Sequence, residues 1–352
     1  MSFRRYKQSY FRKPKQGKRI AFYVLHGVGC IVGFLLLFTI VLLYHGPFTN
    51  YRDYIVTLSM ETNQNKFFAT AFLRQDEIDA ILARTNPVVQ SAQEDISNVQ
   101  IKATVTPVPP ASAAAASPLP EPQVSTDVQI LDITGKTFEG KLMVIQDPSK
   151  VTLGLAPKLG QVGAPLSRIV GANNALGGVN AGGFQDDNFT GTGAKPDGIV
   201  VQDGQIKFQK SGQSSFSVIG FNQDNVLVIS NDMAPDEIKK NNLRCAISFG
   251  PALILNGRPL VSSSGTSLQP RTAIGQRKDG TVLLLAIDGR QQKSPGANYT
   301  DVMDVLLQYG AYNAANLDGG SSTTMNYMGK TINSPCDING ERSVATAYLV
   351  MP

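Results

Sequence analysis

The sequence predicts an α+β domain built on a mixed, mainly antiparallel sheet with few helices, preceded by one transmembrane helix and a helical stem. Three observations predict it. From residue 127 onward, short apolar runs alternate with Asp-Gly and Asn-Gly turns. Only one stretch of that region has clear helical periodicity. Residues 20–44, near the start of the chain, contain no Asp, Glu, Lys or Arg. Short apolar runs separated by such turns read as strands joined in hairpins.

Taken in order, residues 1–19 form a basic tail, with Arg4, Arg5, Lys7, Arg12, Lys13, Lys15, Lys18 and Arg19 and no acid. The 25 uncharged residues 20–44 are enough to cross a hydrocarbon core of about 30 Å. A cleavable signal peptide has a shorter apolar core, about 7–15 residues, followed by small residues. Tyr44-His45-Gly46-Pro47 is a poor cleavage site. Basic flanks stay on the cytoplasmic side. The expectation is a single-pass anchor in the cell membrane, with the N-terminus cytoplasmic and residues 45–352 outside.

Residues 45–98 read as a helical stem. Asp76 is the expected N-cap of a short helix carrying Ile78, Ile81 and Leu82, which Asn86-Pro87 would end. Residues 99–126 are a linker, rich in Pro, Ala and Ser from 104 onward, a composition that forms no core and favours extended conformations. Residues 127–352 form the globular domain. Its expected strands are 142–145, 199–202, 216–221, 226–230, 245–249, 252–255, 281–287, the apolar run 311–317 and 344–350. Asp203-Gly204, Asn256-Gly257 and Asp279-Gly280 are the turns. The helix is expected over 298–309, with Val302, Val305, Leu306 and Tyr309 on one face.

Charge and composition exclude several functions. The net charge of +5 belongs to the tail, because residues 127–352 carry 19 basic and 19 acidic side chains. No nucleic-acid partner is expected of a domain so balanced. The only histidines, His26 and His45, lie in or beside the apolar stretch. The domain therefore has no Ser-His-Asp triad, Cys-His dyad or histidine-ligated zinc site. Acid–base work falls first to carboxylates. Cys245 and Cys336 are open to a disulfide in an oxidising compartment or to two separate thiols.

Five stretches at expected strand ends carry glycine or charge: Asn180-Ala181-Gly182-Gly183-Phe184, Arg271-Thr272-Ala273-Ile274-Gly275, Asp288-Gly289-Arg290-Gln291, Asn316-Leu317-Asp318-Gly319-Gly320-Ser321-Ser322-Thr323-Thr324-Met325 and Gly340-Glu341-Arg342-Ser343-Val344. Loops on a rigid sheet are where sites sit. Singly, each is as well explained by a tight turn or a surface ion pair. Together and in this order they resemble the phosphodiester glycosidase family over residues 127–352. The Leu317-Asp318-Gly319-Gly320 loop with its Ser/Thr run, joined to Asp288-Gly289-Arg290, is the most specific part. One departure stands out: family members often carry a glutamate on the helix after Asp-Gly-Arg, where this chain has Asp301 and Asp304, so that helix is given no catalytic weight.

The resemblance implies hydrolysis of a sugar joined through its anomeric carbon to a phosphodiester. Phosphate leaves as a stable anion, so the strong general acid of ordinary glycosidases is dispensable. In this reading Asp318 is the first candidate for nucleophile or base, Asp288 the second and Glu341 a distant third. Gly319, Gly320, Ser321 and Ser322 would offer main-chain N–H and hydroxyl donors to phosphate or sugar. Arg271, Arg290 and Arg342 would bind phosphate, unless they are structural partners of the carboxylates. Asn180, Gly182 and Gly183 would form a wall against sugar hydroxyls. Phe184, Tyr299 and Tyr327 are available for stacking. Asp186, Asp187, Asp288 and Asp318 are hard oxygen ligands, but their spacing matches no calcium loop; no metal or other cofactor is expected. The expected partner is a glycosyl phosphodiester, such as one carrying α-N-acetylglucosamine, or a sugar-phosphate polymer of the cell envelope, such as decorated teichoic acid or phosphate-linked exopolysaccharide. Transfer of the same sugar to an acceptor alcohol, and silent polymer binding or scaffolding, are the alternatives.

Overall fold

The computed structural model describes residues 16–61, 66–85, 99, 127–185, 192–261 and 267–352. The rest of the basic tail, Asn86-Pro87, nearly all of the linker and the pair Asp186-Asp187 lie outside them. The helix Gln16–His45 starts inside the expected tail and contains one span, Phe22–His45, long and apolar enough to cross a membrane. The helices Thr49–Glu61, Phe67–Thr70 and Gln75–Thr85 gather Val56, Ala69, Leu73, Ile78 and Ile81 into a small core with Tyr44. Asp76 falls in the first turn of the last helix, not at its cap. Glu77 reaches back there instead, accepting from the Arg74 N–H at 3.0 Å.

The residues from Val128 on adopt the expected α+β architecture, but with three substantial sheets instead of one. Every strand pairing is antiparallel among the described residues. A seven-stranded sheet runs Val128–Thr134, Glu139–Ile145, Val282–Ile287, Arg271–Arg277, Ala311–Leu317, Ala252–Leu255, Arg258–Pro259. One five-stranded sheet runs Leu227–Met233, Phe216–Asn222, Leu243–Ile247, Ile199–Gln202, Gln205–Gln209. The other runs Lys330–Thr331, Met325–Tyr327, Gly177–Asn180, Thr346–Val350, Val151–Leu155.

The alternation of side chains along a strand divides these sheets into inner and outer faces. In Val282–Ile287 the residues Val282, Leu284 and Ala286 face a central core, where Phe221 and Ile219 of the second sheet meet Tyr348 and Val179 of the third. Leu283, Leu285 and Ile287 face the other way, against the helix Tyr299–Gln308. That helix sets Val302, Val305 and Leu306 on one side, as its periodicity predicts, and Asn298 caps it reciprocally with Asp301. Asp301 is therefore a capping residue. Two shorter helices, Pro235–Lys240 and Leu166–Ala172, cover the outer faces of the two five-stranded sheets.

The hairpin turns fall where the dipeptides place them. Asp203-Gly204 and Asn256-Gly257 have φ of +53°, +72°, +55° and +73°, the left-handed pair of a type I′ turn. At Asp279-Gly280 only the glycine is left-handed, and the Asp279 carboxylate accepts the Thr281 N–H at 3.0 Å. Cys245 lies in the central core and Cys336 on a half-buried loop, and both are free thiols.

Leu306 is fully buried between the helix and the seven-stranded sheet. Leu306→Ala should lower unfolding stability by about 2–5 kcal/mol, read as a lower urea midpoint with an unchanged slope.

Candidate active site

Three neighbouring strands of the seven-stranded sheet deliver their ends to one place. Arg271 opens the strand Arg271–Arg277 and pairs with Ile287, and the next residue, Thr272, pairs with Leu317. The register therefore sets the Asp288-Gly289-Arg290 loop and the Asp318 loop on either side of Arg271. The third sheet brings Gly183 and Phe184, just past Gly177–Asn180. The second brings Asp197, Lys210, Ser217, Ser248 and Phe249. Between them lies a cavity of about 520 Å³, lined also by Arg290, Arg342, Tyr299, Gln269, Asn316 and the Asp318–Ser322 loop.

Asp318 is held from behind. Its N–H donates to the Ala181 carbonyl at 2.9 Å, and Asn180 Nδ2 donates to the Asp318 carbonyl. After it, Gly319 passes so close to the neighbouring strand that a Cβ would sit 2.8 Å from the Pro270 carbonyl oxygen. Gly320 takes φ +59° and opens the short 3-10 turn Gly320–Ser322. Both positions need glycine. Asp318 is half-buried, and its Oδ2 is shut off from water with no hydrogen-bond partner. Burial raises its pKa from 3.8 to about 6, against the lowering effects of the Ser322 side chain, the positive Arg342 and the Gly319 N–H.

The arginines are fixed as well. Arg271 is buried, with Nε donating to the Ala297 carbonyl at 3.2 Å and its guanidinium 4.1 Å above the Tyr299 ring. Arg342 stacks on Phe184 at 5.1 Å. Arg290 donates to Gln269 Oε1 at 2.9 Å and to Ser321 Oγ at 3.2 Å. Lys210 pairs with Asp197 at 2.7 Å on the opposite wall.

Several residues singled out in the sequence sit elsewhere. Asp288 does not line the cavity. Its Oδ1 accepts from Asn333 Nδ2 and the Ser334 N–H, both at 2.9 Å, so it fastens the loop after Thr331. Burial raises its pKa, partly offset by those two bonds. Glu341 also stands outside, accepting the Ser167 N–H at 2.9 Å and the Thr331 hydroxyl. Asn180 is no sugar-facing wall: it is completely buried, and Oδ1 accepts from the Thr272 hydroxyl and the Thr324 N–H. It is a positioning residue for Asp318. Gly182 is turned inward, donating to Thr346 Oγ1. The N–H groups of Gly320 and Ser322 go to the Pro270 and Gly319 carbonyls, so the loop is not an open row of donors. Tyr327 packs on the central core and does not line the cavity.

The sequence reading missed Asn316, Gln269, Asp197 and Lys210. Asn316 had a readable signal, because period two puts it on the same face as Asp318. Asp197 and Lys210 had none, since only the packing of a different sheet brings them in. Among the described residues no group of three or more His, Cys, Asp or Glu is placed to hold a metal ion.

Comparison with known proteins adds to this geometry. The model of a family described as "Phosphodiester glycosidase" matches residues 173–351. An uncharacterized SPbeta prophage-derived protein, YomE, of Bacillus subtilis is 28% identical over 166 residues, 45% of this chain and 25% of that protein. The N-acetylglucosamine-1-phosphodiester alpha-N-acetylglucosaminidase of Bos taurus is 37% identical over 70 residues, 20% of this chain and 13% of that protein. This chain thus spans a quarter or less of the length of either relative. The catalytic domain of the zebrafish enzyme of the same name, solved auto-inhibited by its pro-peptide, shares the fold. Its TM-score is 0.53 at 24% identity, over 66% of this chain and 84% of that one.

The raised pKa of Asp318 has a consequence for stability. The folded protein binds that proton more tightly than the unfolded chain, so ionisation favours unfolding as pH rises from 3.8 through about 6. Asp318→Asn removes this effect. The melting temperature of the variant relative to wild type should therefore climb between pH 4 and pH 7, and a constant difference would contradict the assignment.

Proposed function

Because this chain belongs to the phosphodiester glycosidase family, we propose that it hydrolyses the bond between the anomeric carbon of a sugar and a phosphodiester. One observation carries the reading: a single withdrawn carboxylate, Asp318, shares its cavity with Arg271, Arg290 and Arg342. Three guanidinium groups in one cavity suit a phosphate, whose oxygens accept charge-assisted hydrogen bonds. The carboxylate suits the adjoining anomeric carbon.

In this reading the arginines hold the phosphate, and ionised Asp318 either attacks the anomeric carbon or takes a proton from the water that does. The bond from that carbon to the phosphate oxygen breaks, and its electron pair leaves with the phosphate. The departing phosphate monoester is already a stable anion, so no strongly acidic partner is required. The chemistry needs the charged form of Asp318 in a site where burial makes that form costly. A carboxylate so placed is a stronger base than one in water.

The α-N-acetylglucosaminyl phosphodiester is the first substrate to try, since the bovine relative is named for it. Phosphate-linked sugars of envelope polymers are the natural extension, supported by the apolar Phe22–His45 helix. That helix anchors the chain in the membrane, the basic residues before it stay in the cytoplasm and residues 127–352 stand outside.

Wild-type protein should release free sugar from the phosphodiester at a rate that falls as pH drops below about 6. Asp318→Asn should lose at least ~10²-fold in turnover, while Asp288→Asn keeps most of it. Near-normal turnover by Asp318→Asn would end the assignment. For the anchor, full-length protein should sediment with membranes and its domain should be open to protease added to intact cells. A protein starting at residue 46 should remain in the supernatant.

A further inference from the structure

Asn316 sits on the strand Ala311–Leu317, two residues before Asp318, and is 1% exposed. Its Nδ2 donates to the Gly250 carbonyl at 3.0 Å, and its N–H donates to the Pro251 carbonyl at 2.9 Å. The first bond fixes the side-chain amide, and the second holds the main chain beside it. Turned over, the amide would set Oδ1 against the Gly250 carbonyl oxygen, two acceptors face to face. Oδ1 is thereby committed to the other side, where it has no partner, and Asn316 lines the cavity.

Among the described residues, buried side-chain atoms without a partner occur on Gln146, Arg244, Asn316, Asp318, Thr324 and Asn326, and of these residues only Asn316 and Asp318 line the cavity. The buried asparagines Asn180, Asn222 and Asn313 each have Oδ1 satisfied by a backbone N–H, from Thr324, Val226 and Asn256. Asn326 also lacks partners for its side chain, but it does not line the cavity. A buried acceptor left unpaired costs stability, and a ligand that donates to it recovers that cost on binding. Asp318 Oδ2 is in the same condition. The two residues lie two positions apart in the chain, Asn316 near the end of the strand and Asp318 just past it, and both line the same cavity, where they can meet two different groups of one sugar.

We propose that Asn316 is the residue that selects the sugar: its Oδ1 accepts a hydrogen bond from a hydroxyl or amide N–H on the ring whose anomeric carbon stands over Asp318. The inference rests on the hydrolytic reading above and specifies its substrate. The sugar carries a hydrogen-bond donor at one defined ring position, and a sugar bearing hydrogen or an ether there is refused. Asn316 is a binding residue in this account, and Asp318 remains the reacting group.

The test is a series of α-N-acetylglucosaminyl phosphodiesters: the parent, its 3-, 4- and 6-deoxy forms, and one with the 2-acetamido group replaced by O-acetyl. The kcat/KM of each is measured with full-length wild type and Asn316→Ala. One deletion should cost wild type about 10- to 100-fold. Asn316→Ala should be slowed on the parent by a similar factor, yet show no further loss on that one analogue. A variant slowed equally on all five substrates would mark Asn316 as structural and overturn the proposal. If the variant does not fold, the wild-type series decides, because indifference to every deletion overturns it too. If wild type releases no sugar from any member, the hydrolytic reading fails by itself. Calorimetric Kd values for the same five compounds on wild type then carry the test. A 10-fold or greater weakening for one deletion supports the donor contact, and equal affinities remove it.

Discussion

The structure depends on keeping one carboxylate out of water at the end of a central strand. An ionised carboxylate so placed is costly unless charges and donors surround it. Asp318 has Arg342, the Ser322 side chain and the Gly319 N–H for that purpose. Its backbone is tied on both sides to the third sheet, through Ala181 and Asn180. Asn180 in turn holds Thr272 and Thr324, so one completely buried amide links the strand before the cavity, the strand beside it and the chain leaving it. The position of the third sheet against the seven-stranded sheet therefore sets where the carboxylate lies.

Each sheet contributes a different quality to the cavity. The seven-stranded sheet supplies the carboxylate, Asn316 and two arginines, all at strand ends. The third sheet supplies the buried support, and the chain leaving it supplies the ring under Arg342, Phe184, which pairs with Pro196 in a small two-stranded sheet. The second supplies the opposite wall, with Asp197 and Lys210 paired. All three pack on one shared core, so the cavity walls are set by the packing of the whole domain.

Much of this was legible in the sequence, and the failures have physical causes. Apolar alternation and left-handed dipeptides revealed strands such as Val282–Ile287 and their turns, because sheet faces and φ signs leave direct marks on residue choice. Gly177–Asn180 and Met325–Tyr327 left almost no mark. They are short, and their glycine and polar residues are buried by neighbouring strands and not by any apolar pattern of their own. At the site, the motif residues Asp318, Arg271, Arg290 and Arg342 do meet at one cavity. Asp288, Glu341 and Asn180 look equally chemical on paper, yet each is bonded into the fold away from the cavity. A carboxylate that staples a loop and one that faces a ligand have the same letter in a sequence. They differ only in which atoms have partners.

The stacking of Arg271 on Tyr299 and of Arg342 on Phe184 bears on entropy. An arginine side chain free to move carries about 2 kcal/mol of rotamer entropy, which a binding anion must normally remove. Here rings and backbone carbonyls have restricted two guanidinium groups beforehand, so that loss falls on folding instead of on association. A rigid array of this kind does not reshape itself around whatever anion arrives. It rewards the one whose oxygens already match its spacing.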